Sequence, residues 1–141
     1  GMMISPGYSY AKAPDQDHFL KREQTTKLFR RLLAGANRRW RFNQSPIFLE
    51  FLKGNWQLEC TPWGNPTFNP QGWKGPCYLI TDTHHESFDA LMRQTDWETF
   101  EQRRDPRCLN CMMHSGFEVS VIREVGKRWA DIWEMLRWNL A

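Results

Sequence analysis

Apolar side chains recur at helical spacing in several segments of the chain. The first of these segments predicts a helix over residues 22–33, with Gly35 as its stop. The segment SPIFLEFLKGN predicts a short second helix, because Ser45 suits the N-cap, Pro46 the first turn and Gly54 the end. Each helix carries an apolar stripe on one face, so each should pack against a core.

Two more amphipathic segments lie in the second half of the chain. HESFDALMRQT predicts a helix with Phe88, Leu91 and Met92 facing inward, and DWETFEQRR extends it after a break near Asp96. A long last helix is predicted over residues 118–139. Its apolar stripe consists of Val121, Ile122, Val125, Trp129, Ile132, Trp133 and Leu136.

Strand signals are fewer. PTFNPQGWKGPCYLI predicts a β-hairpin whose turn is residues 69–72, with Cys60 just before the outgoing strand and Cys77 on the return strand. The opening GMMISPGYSY predicts one buried strand ended by a Ser-Pro-Gly turn. The pattern therefore predicts a mostly helical α+β fold. Residues 1–14 form a strand and turn, residues 15–58 a helical connection, and residues 59–141 a loop-rich cysteine module.

Length and composition predict a soluble chain that is one domain or a piece of a larger one. It has 141 residues, of which 40% are hydrophobic, and no apolar run approaches the length of a membrane span. The first residues do not resemble a secretory leader. We therefore expect a cytoplasmic protein, in which thiols stay reduced.

The net charge of +3 is small, but arginines cluster twice along the chain. The first cluster is Arg30, Arg31, Arg38, Arg39 and Arg41, and the second is Arg103, Arg104 and Arg107. We expect solvated helix faces and no nucleic-acid partner, although such clusters also suit phosphate or anionic lipid. Phe19, Trp40, Phe42 and Phe48 accompany the first cluster. Peripheral contact with the inner membrane is therefore the alternative to ordinary core packing.

The cysteines carry the clearest candidate chemistry. The four-cysteine set is Cys60, Cys77, Cys108 and Cys111. The last two form a CxxC clamp, because two intervening residues let both sulfurs reach one ion. The first two complete a tetrahedral set of thiolates, so the sequence predicts a single metal site. Buried free thiols, or a redox or disulfide role, are the alternatives.

The metal is left open by the residues themselves, because four thiolates suit zinc and an iron–sulfur cluster equally. His114 is a candidate additional ligand or hydrogen-bond partner of a sulfur, although a lone histidine is more often structural. His84 and His85 are expected in the first turn of a helix, pointing apart. Trp63 and Trp73 either shield the site from water or pack ordinarily.

Other catalytic motifs are missing from the sequence. It contains no Gly-rich phosphate loop, no G-x-S-x-G and no HExxH. Three carboxylates near the CxxC, those of Asp96, Asp105 and Glu118, are expected to be caps or surface groups.

The spacing of the cysteines resembles the auxiliary-cluster extension of radical-SAM enzymes. There a hairpin glycine precedes a cluster cysteine by the spacing of Gly72 and Cys77, and a later CxxC adds ligands. Within these enzymes the chain is similar to the C-terminal part of the adenosyl-hopene transferases of hopanoid biosynthesis, over roughly residues 1 to 122. The segments that carry the resemblance are SPGYSYAKAPDQDHFL, FNQSPIFLEFLKGN, CTPWGNPTFNPQGWKGPCYLI, QTDWETF and DPRCLNCMMHSGFE.

This resemblance implies a function and a cofactor. The family adds the 5′-deoxyadenosyl radical of SAM to a hopene, an apolar substrate. By this resemblance, GMMISPGY looks like the end of a partial barrel, and Gly1 is an interior residue of a longer protein. The upstream barrel is then the partner of this chain. The four-cysteine set would bind an auxiliary iron–sulfur cluster of the [4Fe–4S] type.

One departure from the family limits this expectation. The CxxxCxxC motif that binds the SAM-cleaving cluster is not in the sequence. We therefore expect the chain to be inactive as an isolated transferase, with SAM and the catalytic residues in the parent enzyme. The alternatives are a zinc-binding structural or interaction module without catalysis, and a truncated product without function.

Overall fold

The computed structural model describes residues 1–10, 13–36 and 39–140. Its α+β architecture confirms the predicted fold class. The helices are α1 (Arg22–Ala34), α2 (Pro46–Leu52), α3 (Phe88–Gln94), α4 (Trp97–Glu101), α5 (His114–Val125) and α6 (Trp129–Leu140). The strands are β1 (Phe68–Asn69), β2 (Gly72–Pro76) and β3 (Thr81–His85). Two 3₁₀ turns, Pro62–Gly64 and Pro106–Cys108, complete the set.

Helix α2 is the centre of the core. Its predicted cap is confirmed, since the Ser45 hydroxyl accepts a hydrogen bond from the Phe48 amide at 3.1 Å. The ring of Phe51 stacks on that of Phe117 from α5, with centroids 4.6 Å apart. Both rings are at most 1% exposed, and their contact joins α2 to α5 in the core.

The predicted hairpin is confirmed and is extended by a strand that the sequence analysis missed. Phe68 pairs with Trp73 across β1 and β2, and β3 adds antiparallel to β2. His84 and His85 therefore end a strand, and their predicted helical turn is wrong. Threonines alternate along β3, and β-branched residues favour an extended chain at a solvent-facing position.

The N-terminal segment is shorter as a strand than its pattern suggested. It forms one parallel bridge, between Met2 and Phe42, and the Gln44 side chain bonds both backbone groups of Ile4. Met2 and Met3 are 45% and 58% exposed, so the expectation of a buried strand is wrong. Burial begins further along the segment, where Ile4 packs against the core and Tyr8 is 7% exposed.

The predicted long last helix is two helices. α5 begins at His114 and ends at Val125, and α6 begins at Trp129 after a break at Gly126. Glycine is a poor interior helix former, and the break changes which face of the second half meets the core. Trp129 is consequently 87% exposed, and the expectation that it faces inward is wrong. The buried side chain of α6 is instead Asp131.

Two other expectations about burial also change. Phe88 is 45% exposed and contacts Trp73 edge-on, whereas Leu91 of the same helix is buried as predicted. Glu118, expected as a cap or surface group, is half-buried and accepts a hydrogen bond from the Ser45 amide.

Arg38 of the first arginine cluster lies outside the described residues. Among the described residues, no helix is long and apolar enough to cross a membrane.

Candidate metal centre

The four cysteines line a single cavity. They arrive from three separate segments: the stretch before the first 3₁₀ turn, the loop after β2, and the loop that leads into α5. Cys77 was expected on the return strand, but β2 ends one residue earlier, at Pro76. All four are free, half-buried thiols. The cavity volume is about 30 Å³. Cys60, Cys77 and the CxxC pair are far apart in sequence, so the tertiary fold brings these three segments to one cavity.

The CxxC segment is shaped by a capped turn. The Asp105 carboxylate accepts a hydrogen bond from the Arg107 amide at 2.8 Å, as expected for a cap. The Cys111 amide then donates to the Cys108 carbonyl at 3.1 Å, which curls the backbone between the two sulfurs. Arg107 also donates to both oxygens of Asp82 on β3, at 2.7 and 2.8 Å. This bidentate pair fastens the CxxC segment to the sheet.

A backbone amide already bonds to one of the sulfurs. The Ile80 amide donates to the Cys77 sulfur at 3.4 Å. Such N–H···S bonds stabilise thiolates and tune the potential of an iron–sulfur cluster. The tight loop after β2 is therefore suited to hold a ligated sulfur.

Cys60 is held against the first turn of α5. The Thr61 amide donates to the Gly116 carbonyl at 2.9 Å, and the Thr61 hydroxyl lies 2.7 Å from that of Ser120. A Cβ added at Gly116 would lie 2.6 Å from the Cys60 sulfur. Only glycine at this position leaves room for the sulfur where it stands.

The cavity makes all four thiols weak acids. Burial is the first cause that raises the pKa of each cysteine, and it raises that of Cys108 to about 12. Repulsion between the thiolates adds to this shift, for example from Cys111 on Cys60. The thiols are therefore neutral at physiological pH in the protein alone. A bound cation would reverse that balance, because it favours the thiolate form.

The cavity is not a finished coordination site. Across the described residues, no three His, Cys, Asp or Glu side chains converge closely enough to hold a metal ion as they stand. The donor set nevertheless fits one, since four thiols share a mostly apolar cavity that provides an N–H···S bond and a close-approach glycine. Binding would need the sulfurs to draw together by local adjustment of their loops.

The other candidates from the sequence lie away from this wall. His114 begins α5, its Nδ1 lies 3.3 Å from the Ser5 hydroxyl, and it is not among the described residues that line the cavity. Trp63 and Trp73 do not line it either. Trp63 lies 3.3 Å from the Glu101 carboxylate, and Trp73 packs against Phe68. Ordinary packing is thus the role that the structure gives both tryptophans.

Sequence reasoning missed several residues that do line the cavity. Tyr8, which is 7% exposed, and Phe100 cover it with aromatic surface, and Arg103 brings a positive charge. Burial raises the pKa of Tyr8, with a further contribution from Cys108 and the other thiols. The SPGY stretch was noticed for its resemblance, but nothing in its pattern predicted contact with residues a hundred positions away.

Fold and cavity together define a small α+β domain in which four thiols line one cavity. Over residues 2–135 the chain matches a family described as a domain of unknown function (DUF3463), and it belongs to that family. No curated protein and no solved structure matches the chain.

Proposed function

We propose that this domain is the C-terminal part of a radical-SAM adenosyl-hopene transferase, and that its four-cysteine set binds an auxiliary [4Fe–4S] cluster. The observation that carries the cofactor assignment is the meeting of all four cysteines of the chain on one cavity. The assignment to the transferase rests on the sequence segments that resemble that family, including the SPGY stretch and the hairpin cysteine spacing.

The residues of the domain have definable tasks in this proposal. Cys60, Cys77, Cys108 and Cys111 would hold the cluster, and the Ile80 amide would donate to the Cys77 sulfur. Tyr8 and the other aromatic residues would limit access of water. A bound cluster would supply one-electron chemistry, and its ligation would also tie the hairpin to α5. Cleavage of SAM would remain with the upstream barrel.

Zinc is the alternative occupant, because four thiolates coordinate it equally well. With zinc, the domain would be a structural or interaction module. Its cysteines would then stabilise the hairpin and the CxxC segment without redox chemistry. The two occupants predict different spectra and a different response to reductant.

The test is anaerobic reconstitution of the whole chain with iron and sulfide, in the presence and absence of equimolar Zn²⁺. Our proposal expects a broad absorption near roughly 400 nm that bleaches with dithionite and an electron paramagnetic resonance signal from the reduced cluster. His114→Ala should load like the wild type, whereas Cys77→Ala should not. Colourless protein that binds one zinc would support the structural module instead. Neither iron nor zinc on the wild type would overturn both assignments.

A further inference from the structure

Two arginines lie beside the cysteines without a salt bridge to a carboxylate among the described residues. Arg103 lines the four-thiol cavity, whereas Arg22 does not line it but contacts the backbone of Cys111. Arg22 begins α1, and its Nη1 donates to the Cys111 carbonyl at 3.0 Å. Its backbone amide donates to the Asn110 side chain at 3.1 Å. The guanidinium lies over the rings of Phe51 and Phe117, 5.0 and 5.7 Å from their centroids. In the described part of the chain, no Asp or Glu forms a salt bridge with it.

The second arginine, Arg103, belongs to a different segment of the chain. It follows α4, lines the cavity wall and has a backbone φ of +55°. A positive φ is unfavourable for a residue with a Cβ, so this backbone needs support from its surroundings. The neighbouring Arg104 differs, since its guanidinium pairs with Glu98 at 3.0 Å. Arg103 has no such salt bridge among the described residues.

Both positive charges lie close to the cysteines. Arg103 lines the cavity together with all four thiols, and Arg22 reaches the carbonyl of Cys111, one of the lining residues. Like charges held together near an apolar cavity destabilise a protein unless an anion lies nearby. The fold thus gathers positive charge at the place where it also gathers four groups that can become negative.

We propose that Arg22 and Arg103 are the counter-charges of an anionic metal–thiolate centre and act as positioning residues for it. This inference rests on the proposed function, in that it requires the four-cysteine set to bind a metal. Four thiolates around Zn²⁺ or a [4Fe–4S]²⁺ core leave a net charge of about −2, which two guanidinium groups balance. Loading would also secure α1 and the segment after α4 to the centre.

The test compares Arg22→Gln and Arg103→Gln with charge-matched controls. Lys27→Gln removes a cation that pairs with Glu23 on the outer face of α1, and Arg104→Gln removes the paired neighbour of Arg103. In the reconstituted protein, Arg22→Gln and Arg103→Gln should each shift the cluster potential to more negative values, because a nearby cation favours the more negative reduced state. Zn²⁺ affinity, measured by competition with a chromophoric chelator, should fall at least several-fold in these two variants only.

Thermal unfolding distinguishes a counter-charge of the metal centre from a purely structural arginine. Arg103→Gln should lower the melting temperature of the loaded protein but not that of the metal-free protein, in which it relieves repulsion. Equal losses in both forms, or potentials and Zn²⁺ affinities no different from those of Arg104→Gln, would overturn the inference alone. A wild-type chain that binds neither metal would overturn it together with the proposed function.

Discussion

Gly116 stands directly against the sulfur of Cys60, and a Cβ at this position would lie 2.6 Å from that sulfur. We expect Gly116→Ala to displace Cys60 from the cavity and to reduce the uptake of iron or zinc. Alanine is otherwise the better helix former, so any loss must come from this contact. Metal content per chain after reconstitution is the measurement.

Gly126→Ala is the matched control for this substitution. It lies at the end of the same helix, and a Cβ there would meet nothing within 4 Å. This variant should load like the wild type and be equally or slightly more stable. Equal loading by Gly116→Ala and Gly126→Ala would mean that Cys60 is not a ligand in its present position.

The raised pKa values of the thiols predict a pH dependence of stability. Burial raises the pKa of the cysteines above the ordinary value of 9.0, so the folded protein retains these protons more strongly than the unfolded chain. The resulting stabilisation is complete below about pH 9 and is lost as the pH rises through the folded values. The urea midpoint of the metal-free protein should therefore be constant below about pH 9 and fall as the pH rises from about 9 toward 12.

Cys60→Ala should weaken this alkaline loss, because it removes one of the buried thiols. Slow alkylation of the folded protein by iodoacetamide at pH 8, compared with the chain in urea, is a second check. A urea midpoint that does not change up to about pH 12 would contradict the raised pKa values.

The pairing of Arg107 with Asp82 and Asp105 predicts the opposite dependence in acid. The hydrogen bonds from Arg107 lower the pKa of both carboxyls below the ordinary 3.8. Their contribution is therefore present above about pH 3.8 and is lost as the pH falls further. The pair is largely exposed, so we expect a small effect. Asp82→Asn should reduce the loss of stability between pH 5 and pH 3, whereas Asp89→Asn, which breaks a remote surface pair, should not.

Phe117 couples the core to the cavity, since it stacks on Phe51 and also lines the wall beside the cysteines. Truncating this fully buried ring to alanine should lower the free energy of unfolding by about 3–5 kcal/mol. Ile122→Ala on the exposed side of α5, where the side chain is 78% exposed, should cost less than about 0.5 kcal/mol. Denaturant unfolding of the metal-free variants distinguishes the two. Similar losses for both would place the core elsewhere.

Local signals in the sequence were sufficient to predict α2 and the hairpin. Ser45 followed by Pro46 combines a side-chain acceptor with a ring that suits the first helical turn, and both act within four residues. Gly72 has a φ of +125°, a conformation that glycine adopts readily. The hairpin turn could therefore be predicted from its own residues. The CxxC curl likewise depends on neighbouring residues.

Features that depend on long-range packing could not be predicted from the sequence. Trp129 and Trp133 fit the apolar stripe of a continuous helix, but the break at Gly126 leaves both on the outside. The pattern predicts a solvated face for Arg103 and no role for Arg22, because only the fold shows that Arg103 lines the cavity and that Arg22 reaches Cys111. A sequence pattern records the type of each residue, whereas these roles depend on which surfaces meet.

The central claim is tested most directly by the content of iron and acid-labile sulfide per chain after anaerobic reconstitution. The proteins compared are the wild type and the single variants Cys60→Ala, Cys77→Ala, Cys108→Ala and Cys111→Ala. The account expects roughly four iron and four sulfide per wild-type chain, with large and similar losses in every variant. Zinc without sulfide would assign the site to a structural module. Iron retained in any two of the variants would contradict a single centre held by all four cysteines.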